Sequence, residues 1–314
     1  MEDQRTTEKK MKMKMKILCL HGFRTSGAFL QKQIERWDPT IFQDFELDFP
    51  DGIFPAAGKS DIENIFPPPY FEWFQYNKDF TVYTNLDKCI SFLCDYIERN
   101  GPFDGFLGFS QGATISALLI GYKAQGLLLK NHPPIRLFIS ISGCKFRDPS
   151  ICQVAYKEKL TVKSAHLIGD NDWLREPSED LLTSFNNPLL IRHPKGHVVP
   201  KLDDASSKQL RSWISGIVKE LHTLSGQETR EGESYLREVI KENHKMNVIA
   251  PATTKELLSE EISNDHGDII PIDIMNSGHG LNKVSPLKKI DIEHEHYETT
   301  QKLNHNEHIS QVHS

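Results

Sequence analysis

Long apolar runs are missing from this chain: after the basic stretch Lys9–Lys16, only Ile17 to Leu20 run apolar before His21 and Gly22 interrupt. Four residues are too few for a signal-peptide core or for a membrane span, which needs about 20. Neither a secretory leader nor a membrane span is therefore expected. Cysteine is scarce as well. The five present, Cys19, Cys89, Cys94, Cys144 and Cys152, are odd in number and lack metal-type spacing, and Cys19 and Cys89 sit inside apolar runs. That usage excludes a disulfide framework and points to a reducing compartment, most simply the cytoplasm. No basic stripe with interleaved aromatics occurs, so the electrostatic footprint of a nucleic-acid binder is absent. Gly105, Gly108 and Gly112 do not fall at a dinucleotide-binding spacing, and a reductase reading fails with it.

Charge is not spread evenly. Of the net −6, residues 1–16 carry six basic against three acidic side chains, and residues 226–314 carry nine against sixteen, which leaves the chain between them close to neutral. Three parts are expected: a flexible basic leader over 1–15, a domain over 16–225, and an acidic tail over 226–314. The tail has few aromatics and no continued alternation of strand-like and helix-like stretches. It is expected to be largely disordered, with a short amphipathic helix over about Glu233–Lys245. Eight of the fourteen histidines lie in it, His294 and His296 included, at no recurring ligand spacing. No metal site is read there, and no protein partner is identified.

What the chain does have is Gly108-Phe109-Ser110-Gln111-Gly112. The apolar run Phe103–Phe109 reads as a strand buried on both faces. After the pentapeptide, Ile115, Leu118, Leu119 and Tyr122 recur at helical spacing, which predicts a helix to about Ala124 with one apolar face. A strand that reverses into a helix within a few residues strains the central residue and leaves no room for side chains two positions away, hence the glycines. Such a turn holds the Ser110 hydroxyl clear of the backbone. The N–H of Gln111 then lies at a helix N-terminus, where unpaired donors favour an oxyanion.

Around this turn, strands are predicted at Lys16–Leu20, Phe45–Phe49, Arg136–Ser142, Ser164–Ile168 and Leu189–His193, with helices at Ala28–Trp37, Asn85–Arg99 and Asp203–His222. Alternation of this kind predicts an α/β fold, a mostly parallel sheet with helices on both faces. From Pro50 to about Tyr83 the pattern breaks, and the prolines there exclude a regular helix or central strand.

A serine hydroxyl is a weak nucleophile until a histidine takes its proton and an acid orients that histidine. Downstream of Ser110, one strand runs into Gly169-Asp170-Asn171-Asp172 and the next into Pro194-Lys195-Gly196-His197, so both partners emerge at the sheet edge where Ser110 emerges. Asp172 is favoured over Asp170, which follows the turn glycine and would close the turn. His197 is favoured over His166 and His193, which lie in or end strands. The second oxyanion donor is expected from His21-Gly22-Phe23-Arg24, as the N–H of Phe23 or of Arg24, with His21 as a structural hydrogen-bonder of that loop.

Together, Leu18-Cys19-Leu20-His21-Gly22-Phe23-Arg24, the Gly-Phe-Ser-Gln-Gly turn, Gly169-Asp170-Asn171-Asp172 and His193-Pro194-Lys195-Gly196-His197 resemble the family of serine hydrolases, over about residues 16–222. The resemblance implies an α/β-hydrolase fold, an esterase or thioesterase activity on carboxylic esters, and no cofactor or metal. It places the nucleophile on Ser110, the acid on Asp172 and the base on His197. In such folds the stretch 50–83 is a common place for substrate-binding loops, and Phe66, Tyr70, Phe71, Trp73 and Phe74 are expected to line an apolar acyl pocket over Ser110, or else to anchor the loop to the core. An acyl-protein thioesterase or lysophospholipase-like enzyme is the nearest alternative. A non-catalytic ligand receptor or scaffold is the alternative outside enzymes.

Overall fold

Strand β1 (Met15–Leu20) buries Ile17 to Leu20 completely, and its side chains alternate between two cores. Ile17 and Cys19 face one apolar cluster and Leu18 and Leu20 the other, so the sheet is covered on both sides. The computed structural model describes residues 14–221 together with 223 and 238. Of the two units into which the chain divides, Met1–Ala250 and Pro251–Ser314, all described residues belong to the first. The expectations for the leader before residue 14 and for the acidic tail lie outside the described residues.

In chain order the strands after β1 are β2 (Phe45–Asp48), β3 (Phe54–Pro55), β4 (Phe71–Glu72), β5 (Gln75–Tyr76), β6 (Tyr83–Thr84), β7 (Gly105–Phe109), β8 (Leu137–Ile141), β9 (Lys163–Gly169) and β10 (Leu189–His193). The helices are α1 (Gly27–Ile34), α2 (Leu86–Asn100), α3 (Gln111–Ala124), α4 (Pro149–Ala155), α5 (Arg175–Leu182) and α6 over 204–221. Six strands form one parallel sheet in the order β10-β9-β8-β7-β1-β2. The chain thus builds outward from β1 to β2, then returns to the other side of β1 and continues through β7 to β10. Strand order reverses between β1 and β7, and the crevice beyond the carboxyl ends of such a pair is where an open parallel sheet binds ligands.

Register sets what projects there. Leu20 pairs with Gly108, Gly108 with Ser140, Ile141 with Leu167 and Gly169 with His193. These strands therefore end nearly level, and the loops that follow them, carrying Phe23, Ser110, Asp172 and His197, open on one edge. One helix departs from expectation. Instead of one apolar face, α3 is buried all round from Gln111 to Gly121, because α4 covers the side away from the sheet. A Cβ on Gly121 would lie 2.3 Å from the Ala155 carbonyl oxygen, so the two helices touch backbone to backbone. The irregular stretch after Pro50 does contain strands, but only the two-residue antiparallel pairs β3–β4 and β5–β6, outside the main sheet. Short peripheral strands of this kind tolerate the prolines that a central strand would not.

Candidate active site

Ser110 sits between β7 and α3 with φ 52° and ψ −115°, a conformation that costs a non-glycine residue about 1–3 kcal/mol. Its neighbours leave it no alternative. A Cβ on Gly108 would come within 2.4 Å of the Ala113 nitrogen, and one on Gly112 within 2.0 Å of the Leu20 carbonyl oxygen. The Ser110 amide donates to the Ile141 carbonyl at 2.8 Å, which ties the turn to the adjacent strand. The hydroxyl is left pointing into the crevice.

His197 reaches it from the loop after β10, with Nε2 2.9 Å from Ser110 Oγ. Its other nitrogen, Nδ1, lies 3.0 and 3.1 Å from the two Asp172 oxygens. Since a carboxylate only accepts, Nδ1 carries the proton and Nε2 is free to accept the Ser110 hydroxyl. The loops carrying Asp172 and His197 are laced together by the Asp170 amide on the His193 carbonyl, the Asn171 amide on the Lys195 carbonyl, and Asn171 Nδ2 on the Pro194 carbonyl. Asp172 is buried and its Oδ1 accepts the Leu174 amide at 2.8 Å. Burial alone would push its carboxyl up, but hydrogen bonds from His197, the His197 charge and further donors outweigh it, so Asp172 is held below the usual carboxylate range. Asp170, by contrast, is exposed and paired with Arg192. His166 is enclosed between Phe138 and Phe185, and His193 is buried at the end of β10.

The loop after β1 lies against the serine: a Cβ on Gly22 would meet Ser110 Cβ at 3.6 Å. His21 is a fastener of that loop. It accepts the Gly52 amide on Nε2 at 2.9 Å, donates from Nδ1 to the Gly22 carbonyl at 2.7 Å, and is held neutral by burial, with its pKa lowered to about 4. Arg24 takes a left-handed backbone, φ 53°. Gln111, the residue after the nucleophile, uses its buried side chain as a strut, accepting the Trp73 amide at 3.0 Å and donating to the Phe74 carbonyl at 2.7 Å.

Of the five aromatics expected over Ser110, two are enclosed in the core and three are half-buried. Trp73 and Phe74 are enclosed in the core, Trp73 with Nε1 on the His21 carbonyl. Phe66 packs on Phe29, and Tyr70 donates to the Phe66 carbonyl. Tyr70 also borders a depression of about 590 Å³ with Gly58, Lys59, Ser60 and Glu63 that holds neither Ser110 nor His197. Phe71 donates its amide to the Thr25 carbonyl as part of the β3–β4 frame. Trp73 and Phe74 have the burial of anchors, because a short irregular segment must dock large apolar side chains to keep its place, whereas Phe66, Tyr70 and Phe71 are half-buried. The aromatic surface beside His197 comes from residues whose side chains have no such role in the sequence analysis. Trp173, 63% exposed, lies tilted against His197 with ring centroids 5.1 Å apart; Phe80 lies 6.3 Å from Trp173, Tyr76 4.6 Å from Phe80, and Phe23 4.9 Å from Tyr76. This arc runs from the His197 imidazole to the loop after β1. Its one legible sign in the sequence is a tryptophan immediately after the candidate acid.

Burial pushes the thiols of Cys19, Cys89 and Cys144 up, away from the nucleophilic thiolate. Among the described residues no group of three or more His, Cys, Asp or Glu is arranged to hold a metal, and no helix is long and apolar enough to cross a membrane. A parallel sheet with a serine on a strained strand-to-helix turn, followed in chain order by an acid and a histidine that close on it, defines the α/β-hydrolase class of serine hydrolases.

Comparison with known proteins gives the family. Residues 11–209 match the family described as serine hydrolase (FSH1), and the chain belongs to it. An esterase of Caenorhabditis elegans is 31% identical over 221 residues, 66% of this chain and 94% of that protein. Family of serine hydrolases 3 from Saccharomyces cerevisiae is 34% identical over 230 residues, 66% of this chain and 86% of that protein. A Schizosaccharomyces pombe protein named dihydrofolate reductase is 29% identical over 208 residues, 61% of this chain but 45% of that protein. The chain spans about half the length of that relative, whose name describes a longer molecule.

Proposed function

We propose that this serine hydrolase cleaves carboxylic esters or thioesters through an acyl-enzyme at Ser110, with Asp172 and His197 completing a catalytic triad in a domain over 16–225. The observation that carries the reading is the unbroken hydrogen-bond chain from Ser110 Oγ through both His197 nitrogens to Asp172. In the first step His197 Nε2 takes the hydroxyl proton as Oγ attacks the substrate carbonyl. Asp172 keeps the imidazole in the accepting tautomer and stabilises the imidazolium. The N–H groups of Gln111 and of Phe23 or Arg24 hold the tetrahedral oxyanion. Collapse expels the alcohol or thiol, protonated by His197, and water activated by the same imidazole then releases the acid.

The apolar acyl group is assigned to the arc of Trp173, Phe80, Tyr76 and Phe23 rather than to the buried Trp73 and Phe74, which serve as supports. The names of the curated relatives, esterase and serine hydrolase, agree with a small ester as substrate. Labelling purified protein with a fluorophosphonate and mapping the adduct tests the reading. Modification of Ser110 in wild type and none in Ser110→Ala is the expected result. A folded wild type that resists labelling would instead favour a ligand-binding scaffold.

A further inference from the structure

Arg24 is a bulky residue in a backbone region that glycine prefers, and such conformations persist only where the surroundings impose them. Here they do so at both ends of the residue. Its side chain donates from Nε to Glu72 Oε1 at 2.8 Å, and Glu72 is fully buried. The same carboxylate accepts the Ala57 amide at 3.2 Å and Gln75 Nε2 at 2.9 Å, so it cannot swing away. At the other end, the buried Ser60 hydroxyl donates to the Arg24 carbonyl at 2.6 Å. A Cβ on Gly58 would fall 2.5 Å from Arg24 Nη1, which shows how closely the 58–60 turn wraps the guanidinium.

No catalytic group needs a buried ion pair at this place for its own protonation, and a buried pair contributes little net stability, since desolvation offsets the attraction. Its evident effect is geometric. Among the described residues no group accepts from the amides of Phe23 and Arg24, and the absence of a side chain at Gly22 lets the loop lie against Ser110. The segment 71–76 that carries Glu72 is also the segment gripped by the Gln111 side chain, through Trp73 and Phe74. One strip of chain therefore braces both sources of oxyanion donors at once.

We propose that Glu72 and Ser60 are positioning residues: they clamp Arg24 in its left-handed conformation, and thereby aim the amide of the loop after β1 at the oxyanion formed on Ser110. The assignment rests on the hydrolytic reading above. It predicts that loosening the clamp weakens the transition state while leaving substrate binding alone, because the loop amide meets its charge only when the oxyanion forms.

Glu72→Gln, Ser60→Ala and the charge-free pair Arg24→Gln with Glu72→Gln test this with p-nitrophenyl acetate, alongside thermal melting. Loss of one oxyanion donor costs about 100-fold or more, so Glu72→Gln is expected to lower kcat by roughly 100-fold with KM within about threefold. A trifluoromethyl ketone should lose inhibition in proportion, while its unfluorinated parent binds as before. Ser60→Ala, which removes one hydroxyl and is expected to fold, should lower kcat by about tenfold. Wild-type kcat in Ser60→Ala and in either folded Glu72 variant would overturn the proposal, as would a kcat loss that merely tracks the unfolded fraction. Failure of the hydrolytic reading is distinguishable, since wild-type protein would then show neither turnover nor fluorophosphonate labelling.

Discussion

The stretch 105–124 contains Ser110 and the stretch 50–84 is gripped by the next residue, Gln111, and the two are held in place by different means. In the first, position follows from local backbone: a paired strand, a forced turn, and a helix whose glycines lie against Leu20 and Ala155. In the second, two-residue strands supply little, and position follows from side chains reaching far along the chain, Trp73 to His21, Glu72 to Arg24, and Gln111 back to Trp73 and Phe74. The regular region places the reacting atoms. The irregular region buries Trp73 and Phe74 as anchors, while Tyr76 and Phe80 stay half-buried and continue the aromatic row that reaches Trp173.

The contrast yields a ranked set of expectations. Removing a group that the sheet presents should be the most damaging to rate and the least to folding. Replacing His197 with alanine is expected to lower kcat by roughly a million-fold, and Asp172→Asn by about ten-thousand-fold, each with a near-wild-type melting temperature. Single-turnover hydrolysis of a p-nitrophenyl ester measures both. Two tryptophans, Trp73 in the irregular region and Trp173 in the loop after β9, should separate stability from specificity. Trp73→Ala empties a fully enclosed site and is expected to cost about 3–5 kcal/mol in urea unfolding.

Acid offers a related comparison through two buried histidines, one in the loop that the irregular region braces and one in the sheet. Burial lowers His21, in the loop after β1, to about 4 and His166, in the sheet, to about 3. The unfolded chain takes up these protons near 6.5 and the folded one does not, so stability is complete above about pH 6.5 and falls with pH until about 4 for His21 and about 3 for His166. At pH 5 each should account for about 2 kcal/mol of lost stability. Urea midpoints at pH 7.5 and 5 measure the loss, and His166→Leu is expected to remove about half of it. Equal acid sensitivity in that variant would contradict the assignment. The smallest stability effect belongs to Trp173→Ala. An exposed side chain should change unfolding free energy by less than about 0.5 kcal/mol, yet KM for an apolar acyl ester should rise about tenfold while that for acetate ester barely moves. A loss of stability comparable to that of Trp73→Ala would erase the distinction between anchor and arc.

Legibility in the sequence divides along the same line. The strand Leu189–His193 is found where its apolar pattern puts it, and the elbow strand, Gly105–Phe109, differs only in losing its first two residues. The helices α4 and α5 escape a periodicity reading because seven or eight residues hold too few turns to show a stripe. The burial of α3 on all sides from Gln111 to Gly121 escapes it for another reason: α4, which covers its outer side, is remote in sequence from the apolar face that the spacing reveals. Within the site, Ser110, Asp172 and His197 are named by motif and chain order. The choice of Asp172 over Asp170 becomes geometric only when the loops after β9 and β10 are laced together. Phe80 and Tyr76 carry no motif, and nothing local separates them from Trp73 and Phe74, a few residues away in the same run of aromatics.

By itself, the sequence determined the parallel α/β sheet, the strained serine turn and the order of its partners, because each depends on short-range sterics or on apolar periods of two and 3.6 residues. Tertiary structure alone decided which aromatics are core and which form the row that ends beside His197, and that a buried Glu72 sits on Arg24. Those outcomes depend on contacts between residues dozens of positions apart, where burial and hydrogen-bond satisfaction are settled by the whole fold rather than by any window of it.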